Sequence, residues 1–480
     1  MYSEKKFLFY DLETSGLNKS FDQIQQCAIK IVDTDWQEKE SIFFEAKLSP
    51  DTIPSAYATI THRISLIGDD VREAEIEVIK KIHKIFNTPG SISLGYNTLG
   101  FDDEFLRFSF YRNLLAPYTH QYASGCGRMD VFPIAVFYFL YAQDTIAWPY
   151  KDQLISLKLE NIAEVNAWNA GRAHHAMHDV DATIALAKAL QNGNPRMWDY
   201  LSGFFQKQED KARIEKLQKI FTDKYESHIG LLISAKLGIK HYFQAPVLSL
   251  GWHRSYKNQI IWLRLDKLIF KDGMDYQFLL ESGCIVRKKL AEPPFLLPWT
   301  EHYGSHLQED RNELSQKNIK WIKGQPEFYE IIANNAVTEL YAAIDNVDVD
   351  AALYEKGFRP QKQEHECQRL HALPYKEWSC FIEKMQDKSL GEQALRCLWR
   401  YNQGLLSQSQ QDIMQTYQAN LYEGLENKQD HIGRVRRNLQ SLKDEIKEVV
   451  KGELDTEQQK LIQELSSWLV KQEKAKSVEQ

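Results

Sequence analysis

The chain has 480 residues, 43% of them hydrophobic and 12% aromatic, with a formal net charge of −7. That is too long for one ordinary core and too apolar for disorder, so two to four packed domains are expected. No apolar run is long enough to span a bilayer, and the six scattered cysteines form no C-x-x-C, which argues against a membrane protein, a disulfide scaffold and a zinc ribbon. The N-terminus has no apolar stretch of the secretory kind, so a cytoplasmic protein is expected. The acidic balance does not exclude nucleic acid, because a local basic channel can sit inside a negative field.

Taken in order, residues 7–14 read as a buried strand, and 24–32 and 41–48 as two more, an antiparallel start. Apolar residues at helical spacing over 71–86 predict an amphipathic helix stopped by Pro89-Gly90. A strand over 91–96 leads into helices over 101–112, 131–141, 157–165 and 176–191, the last ending at Asn192-Gly193-Asn194-Pro195. Residues 1–195 therefore read as an α/β domain with a mixed sheet. Residues 195–221 are charged and helical, and short β-rich runs over 230–290 predict a small bent antiparallel sheet or barrel within 196–345. Residues 346–480 read as all-helical. The final helix, over 457–473, is preceded by Thr456 with Gln459 three residues on, the form of a capping box.

Chemistry is concentrated in the first domain. Asp11 and Glu13 are i and i+2 on one strand and project from the same face, where two like charges need a cation or a proton. Hard oxygen donors suit Mg²⁺ or Mn²⁺. Asp102 and Asp103 open a helix just after a strand end, a place that also favours acids for purely local reasons. His174 precedes Asp179 by five residues at the start of the alanine-rich helix. A zinc site from His174, His175 and His178 is disfavoured by the surrounding acids and by the lack of a cysteine ligand.

The order D-x-E, F-D-D-E, H-x4-D resembles the histidine-bearing subgroup of the DEDD exonuclease superfamily. The segments FLFYDLETSGL, LGYNTLGFDDEFLRFSFYRN, SLKLENIAEVN, AHHAMHDVDATIALAK, NPRMWDYL and DNVDVDAALYEKGF further resemble the bacterial exodeoxyribonuclease I family. The resemblance implies a ribonuclease H-like exonuclease domain (1–195), an SH3-like barrel with flanking helices (196–345) and a helical C-terminal domain (346–480). It implies 3′-to-5′ removal of mononucleotides from single-stranded DNA, in repair and recombination, by a monomer. Asp11, Glu13, Asp102 and Asp179 would hold two Mg²⁺ ions, with Mn²⁺ able to substitute, and His174 would be the general base. Substrate contacts implied are Glu13, Lys158, Arg107, Tyr118 and Tyr122, the tyrosines as stacking surfaces.

A further implied partner is the single-stranded-DNA-binding protein. Where the family uses an arginine for that protein's acidic tail, this chain has Tyr141-Ala142-Gln143, while Tyr200 matches an aromatic there. The alternative reading is an exonuclease of RNA or short oligonucleotides with the same five residues. The basic clusters Arg287–Lys288–Lys289 and Arg434, Arg436, Arg437 are of the kind that usually marks a solvated face.

Overall fold

A computed structural model describes residues 5–168, 176–221, 226–355, 357–425 and 427–478. The first strand, β1 (Lys6–Thr14), pairs antiparallel with β2 (Ile24–Val32), which pairs with β3 (Glu38–Glu45). β3 begins earlier than the expected 41–48. The Asp33 carboxylate accepts the backbone N–H groups of Asp35 and Gln37, closing the turn at once, and pairing then carries Glu38–Glu40 into the ladder despite their weak strand preference.

A helix the periodicity does not announce, α1 (Ala56–His62), follows. The expected 71–86 helix is shorter, α2 (Glu75–Phe86), because a separate 3₁₀ turn takes Asp69–Val71. Then come β4 (Ser91–Gly95), α3 (Asp102–Arg112), β5 (Gly127–Asp130) and α4 (Val131–Tyr141). The hairpin β6 (Tyr150–Lys151) and β7 (Leu154–Ile155), α5 (Leu159–Val165) and α6 (Ala176–Gly193) complete this part. β4 runs parallel to β1, and the strand order β3-β2-β1-β4-β5 is the mixed sheet expected.

The charged segment holds α7 (Pro195–Ser202) and α8 (Lys207–Glu215) but ends in a strand, β8 (Gln218–Phe221). Next are β9 (Glu226–Ile233), β10 (Gln244–Trp252), β11 (Gln259–Arg264), α9 (Tyr276–Glu281), β12 (Ile285–Lys289) and β13 (Phe295–Leu297). They form an antiparallel six-stranded sheet in which β9 carries β8 on its first half and β13 on its second, opposite β10. Helices α10 (Glu309–Lys323) and α11 (Pro326–Thr338) follow. The last stretch is helical as expected: α12 (Gln361–Ala372), α13 (Tyr375–Ile382), α14 (Lys388–Tyr401), α15 (Gln408–Glu423), α16 (Leu439–Val449) and α17 (Thr456–Val478).

The chain divides into two compact units, one of residues 1–128, 170–181 and 343–480, the other of 129–169 and 182–342. In the first, Leu8, Tyr10 and Leu12 on one face of β1 pack with Ile79 and Ile82 of α2 and Phe105 and Phe110 of α3. The N-terminal part and the C-terminal helices share further cores: Ile76 and Leu114 with Leu370, Trp378 and Leu398, and Ile53 and Ala56 with Leu439, Leu442 and Leu465. Buried ion pairs join the same two parts. Asp51 Oδ2 accepts from Arg400 at 2.6 Å and Arg436 at 3.0 Å, and Arg437 pairs with Asp22 at 2.9 Å. Arg436 and Arg437 are thus anchors where a solvated face was expected.

In the second unit the sheet packs on α10 and α11 around Leu248, Ile261, Ile322 and Ile332. Lys288, also expected at a solvated edge, is fully buried, with Nζ 2.6 Å from Asp210. The final helix is capped one residue earlier than expected: Asp455 Oδ1 accepts from the Gln458 N–H, and the Gln458 side chain accepts from the Asp455 N–H. Among the described residues no helix is long and apolar enough to cross a membrane.

Candidate active site

The ladder between β1 and β4 covers only Lys6–Phe9 of β1. Beyond Phe9 the strand keeps β2 as a neighbour, with Asp11 opposite Ala28 and Glu13 opposite Gln26. The two carboxylates therefore project where the sheet opens, at the carboxyl end of two parallel strands. Gly95 closes β4 there, and a Cβ on it would stand 2.8 Å from the Tyr10 carbonyl oxygen. The close approach of β4 to the residue before Asp11 thus requires glycine.

Two helices deliver the other acids. The turn after β4 starts α3 at Asp102, and α6 brings Asp179 in its first turn. The α6 start is tied to the sheet by Lys30 of β2, whose Nζ lies 2.6 Å from Asp181 and 3.0 Å from Glu38. One carboxylate oxygen each from Asp11, Glu13 and Asp179 lie within 4.8 Å of one another. Asp102 stands outside that trio but near enough for its charge to bear on both Asp11 and Glu13. Burial, and then the charges of Asp102, Glu13 and Asp179, raises the Asp11 carboxyl far above the usual range. Burial followed by Asp179 and Asp102 pushes Glu13 up to about 8. Mutual repulsion among these acids favours a bound cation, and the all-oxygen donor set fits a hard divalent one.

The second acid of the F-D-D-E run plays a different part. Asp103 is buried; desolvation works to raise its carboxyl, but the guanidiniums of Arg107 and Arg128 hold it well below the usual range. Arg107 Nη2 lies 2.7 Å from Asp103, Arg128 donates to the same carboxylate, and His120 Nε2 is 3.5 Å away. Two adjacent aspartates thus divide the work: Asp102 bears on the acidic cluster and Asp103 is bolted to cations.

Of the substrate contacts expected, Arg107 is buried among Asp103, Glu104 and Tyr354, with its guanidinium engaged by all three. Tyr118 is half-buried, stacked under Arg107 and edge-on to Phe358, and burial pushes its phenol up to about 12. Tyr122 is exposed. Lys158 lies in the second unit at the N-cap of α5, its side chain open to solvent with Glu160 at 3.6 Å. His174 and His175 lie outside the described residues. In the second unit Tyr141 donates to the Tyr303 carbonyl and accepts from Gln244, while half-exposed Tyr200 carries the Arg213 guanidinium 4.1 Å from its ring centre. Sequence reasoning missed Lys30, Glu104, Arg128 and Tyr354, whose partners are set by which elements meet; only the doubled aspartate left a trace.

Sheet order, helix placement and carboxylate cluster define a nuclease of the ribonuclease H-like exonuclease class. The family model described as "Exonuclease" matches residues 8–187, and "Exonuclease I C-terminal domain" matches 347–472. Exodeoxyribonuclease I of Escherichia coli strain K12 is 31% identical over 375 residues, 74% of this chain and 77% of that protein. The crystal structure of E. coli exonuclease I in complex with a dA16 oligonucleotide superposes with a TM-score of 0.82 at 23% identity, covering 97% of this chain and 99% of that one. A structure described as an "ExoI/SSB-Ct complex" gives 0.81 at 22% identity, with 97% and 99% covered. The chain belongs to the exodeoxyribonuclease I family. It is a divalent-metal-dependent exonuclease that degrades single-stranded DNA from the 3′ end.

Proposed function

We propose that Asp11, Glu13, Asp102 and Asp179 hold two Mg²⁺ ions against the terminal phosphodiester of a single DNA strand, and that His174 is the general base. The observation that carries this reading is the convergence of Asp11, Glu13 and Asp179 oxygens within 4.8 Å, with the Asp11 and Glu13 carboxyls raised by burial and mutual repulsion. Bound ions would neutralise the scissile phosphate, acidify an attacking water and stabilise the leaving 3′ oxygen. The carboxylates fix where that phosphate can sit, and the β1 face sets their spacing. His174, with an imidazole near neutrality by its intrinsic pKa, takes the proton of the attacking water.

The strand preference rests on length as well as on the site. The E. coli relative is seen bound to dA16, and this chain matches that structure along almost its whole length. A single strand is flexible enough to bring its 3′ end to the acidic cluster, whereas a duplex is stiff. The C-terminal family match over 347–472 weighs against the RNA and short-oligonucleotide alternative. The proposal extends to modules at 1–195, 196–345 and 346–480, a cytoplasmic monomer, and docking of the single-stranded-DNA-binding protein's acidic tail, a partner supported by the ExoI/SSB-Ct complex.

The test is digestion of 5′-labelled single strands with and without Mg²⁺. Mononucleotides should be released stepwise from the 3′ end, with a sharp stall at a duplex junction and protection by a blocked 3′ terminus. Matched RNA should survive. Attack from the 5′ end or rapid loss of blunt duplex would overturn the reading.

A further inference from the structure

α3 begins without a side-chain cap: Phe101 holds the N-cap position, and no side chain there accepts from the first turn. Besides the Asp103 N–H, which donates to the Thr98 carbonyl at 3.0 Å, ties from its own acids to the surroundings hold that turn, and with it Asp102. One tie is Asp103 with Arg107 and Arg128. The other comes from the 343–480 segment, some 250 residues away in sequence.

The turn Ala352–Tyr354 lies against α3, where Leu353 is buried with Phe108 and Tyr111. The Tyr354 ring stands edge-on to Phe108, centres 5.5 Å apart, and to His431 at 5.0 Å. Its hydroxyl donates to the Glu104 carboxylate and accepts from Arg107 Nη1 at 3.2 Å. Arg107 also reaches Glu104 at 2.5 Å and Asp103 at 2.7 Å. Tyr354, Glu104, Arg107 and Asp103 thus form one charge-assisted network that ends on the residue adjoining Asp102.

We infer that Tyr354 is a positioning residue for hydrolysis: its hydroxyl locks the first turn of α3 so that Asp102 is presented to the Asp11–Glu13–Asp179 cluster. The inference rests on the assignment of Asp102 as a metal ligand. It gives the C-terminal region a part in building the catalytic centre. Mutating a partner that orients a ligand side chain commonly weakens metal affinity.

The test uses the full chain with Tyr354→Phe, which keeps the ring packing and removes only the hydroxyl, and Glu104→Gln, which weakens the same link from the other side. Mn²⁺ is titrated into the DNA-free protein by calorimetry, and the Mg²⁺ dependence of single-strand digestion is measured in parallel. Both variants should bind Mn²⁺ more weakly and need more Mg²⁺ for half-maximal rate, by roughly 3- to 10-fold, the lower side of such effects because Tyr354 acts through Arg107 and Asp103. The rate at saturating Mg²⁺ should stay within about two-fold of wild type, because the ligands themselves are intact. Unchanged metal affinity in both variants overturns the inference, whether or not their thermal stability falls, since loss of stability alone would mean a packing role. Asp102→Asn serves as the control. If it abolishes hydrolysis while Tyr354→Phe leaves metal binding untouched, only the inference fails. If Asp102→Asn stays active, the site assignment beneath it fails.

Discussion

Arg400 reaches Asp51 across 349 positions of sequence, its Nη2 2.6 Å from the Asp51 carboxylate, with both side chains almost fully buried. The same guanidinium contacts Asp350 at 2.5 Å, and Asp350 lies 3.2 Å from Arg396. A helix of the C-terminal region is thereby fastened to the loop that follows β3.

Breaking that link leaves Asp51 only Arg436 and Asp350 only Arg396 as cationic partners, a loss toward the lower end of the span of about 3–5 kcal/mol for comparable buried pairs. Arg400→Met should lower urea stability by that order. The pH dependence has a definite sign. Burial works against the Asp51 charge, but Arg400 and Arg436 hold its carboxyl far below the ordinary range. Its stabilisation is therefore complete above about pH 4, the unfolded value, and is lost as pH falls further. Equilibrium unfolding from pH 7 to pH 3 should show a steeper acid loss in wild type than in Arg400→Met.

At the catalytic cluster, removing charge should stabilise the metal-free fold while destroying function. Asp11→Asn and Glu13→Gln relieve repulsion among Asp11, Glu13, Asp102 and Asp179. Each should raise the melting temperature in chelator by about 1–2 °C, the shift that ~1 kcal/mol produces when more than about 250 residues unfold together. Hydrolysis should vanish and single-strand binding persist. Turnover above about a tenth of wild type for Asp11→Asn, a barrier change of only ~1.4 kcal/mol, would refute its role.

His174→Ala should slow hydrolysis by roughly 10²- to 10⁴-fold, the span for losing a placed general base, with the deficit shrinking at alkaline pH where hydroxide replaces it. His175→Ala and His178→Ala should stay near wild type. A pH–rate series on all three variants separates the base from its neighbours.

His62 offers an acid-sensitivity test away from the active site. Its buried Nδ1 accepts the Ile64 N–H at 2.9 Å, and burial lowers its pKa to about 3. The folded state keeps this ring neutral while the unfolded chain protonates it near pH 6.5, so its contribution is full above that value and falls with acid at up to ~1.4 kcal/mol per pH unit. His62→Asn, which keeps an acceptor for the Ile64 N–H, should flatten the stability profile between pH 6.5 and pH 4 by that slope.

Much of the first domain is legible from local pattern. β2 falls on the expected 24–32, α4 on 131–141, and β1 and α6 lie close to where alternation and alanine-rich spacing place them. α1 is not legible. Thr59, Ile60 and Thr61 disfavour a helix, and it holds because Ala56 and Ile60 pack on α16 and α17 and the Ser55 hydroxyl donates to Glu445. Neither is the fate of the basic clusters, since Lys288, Arg436 and Arg437 are buried by partners that no spacing rule connects to them.

By itself the sequence determined the acids and their order, because strand period two and helix first turns fix which way neighbouring carboxylates point. It placed Asp11 with Glu13 and set Asp102 and Asp179 at helix starts. Only the tertiary structure decided that Asp102 bears on the cluster while Asp103 turns to Arg107 and Arg128, and that Arg107 is engaged by acids and Tyr354. Those outcomes depend on which surfaces meet across hundreds of residues, and contact between distant segments is set by packing of the whole core, for which local periodicity carries no signal.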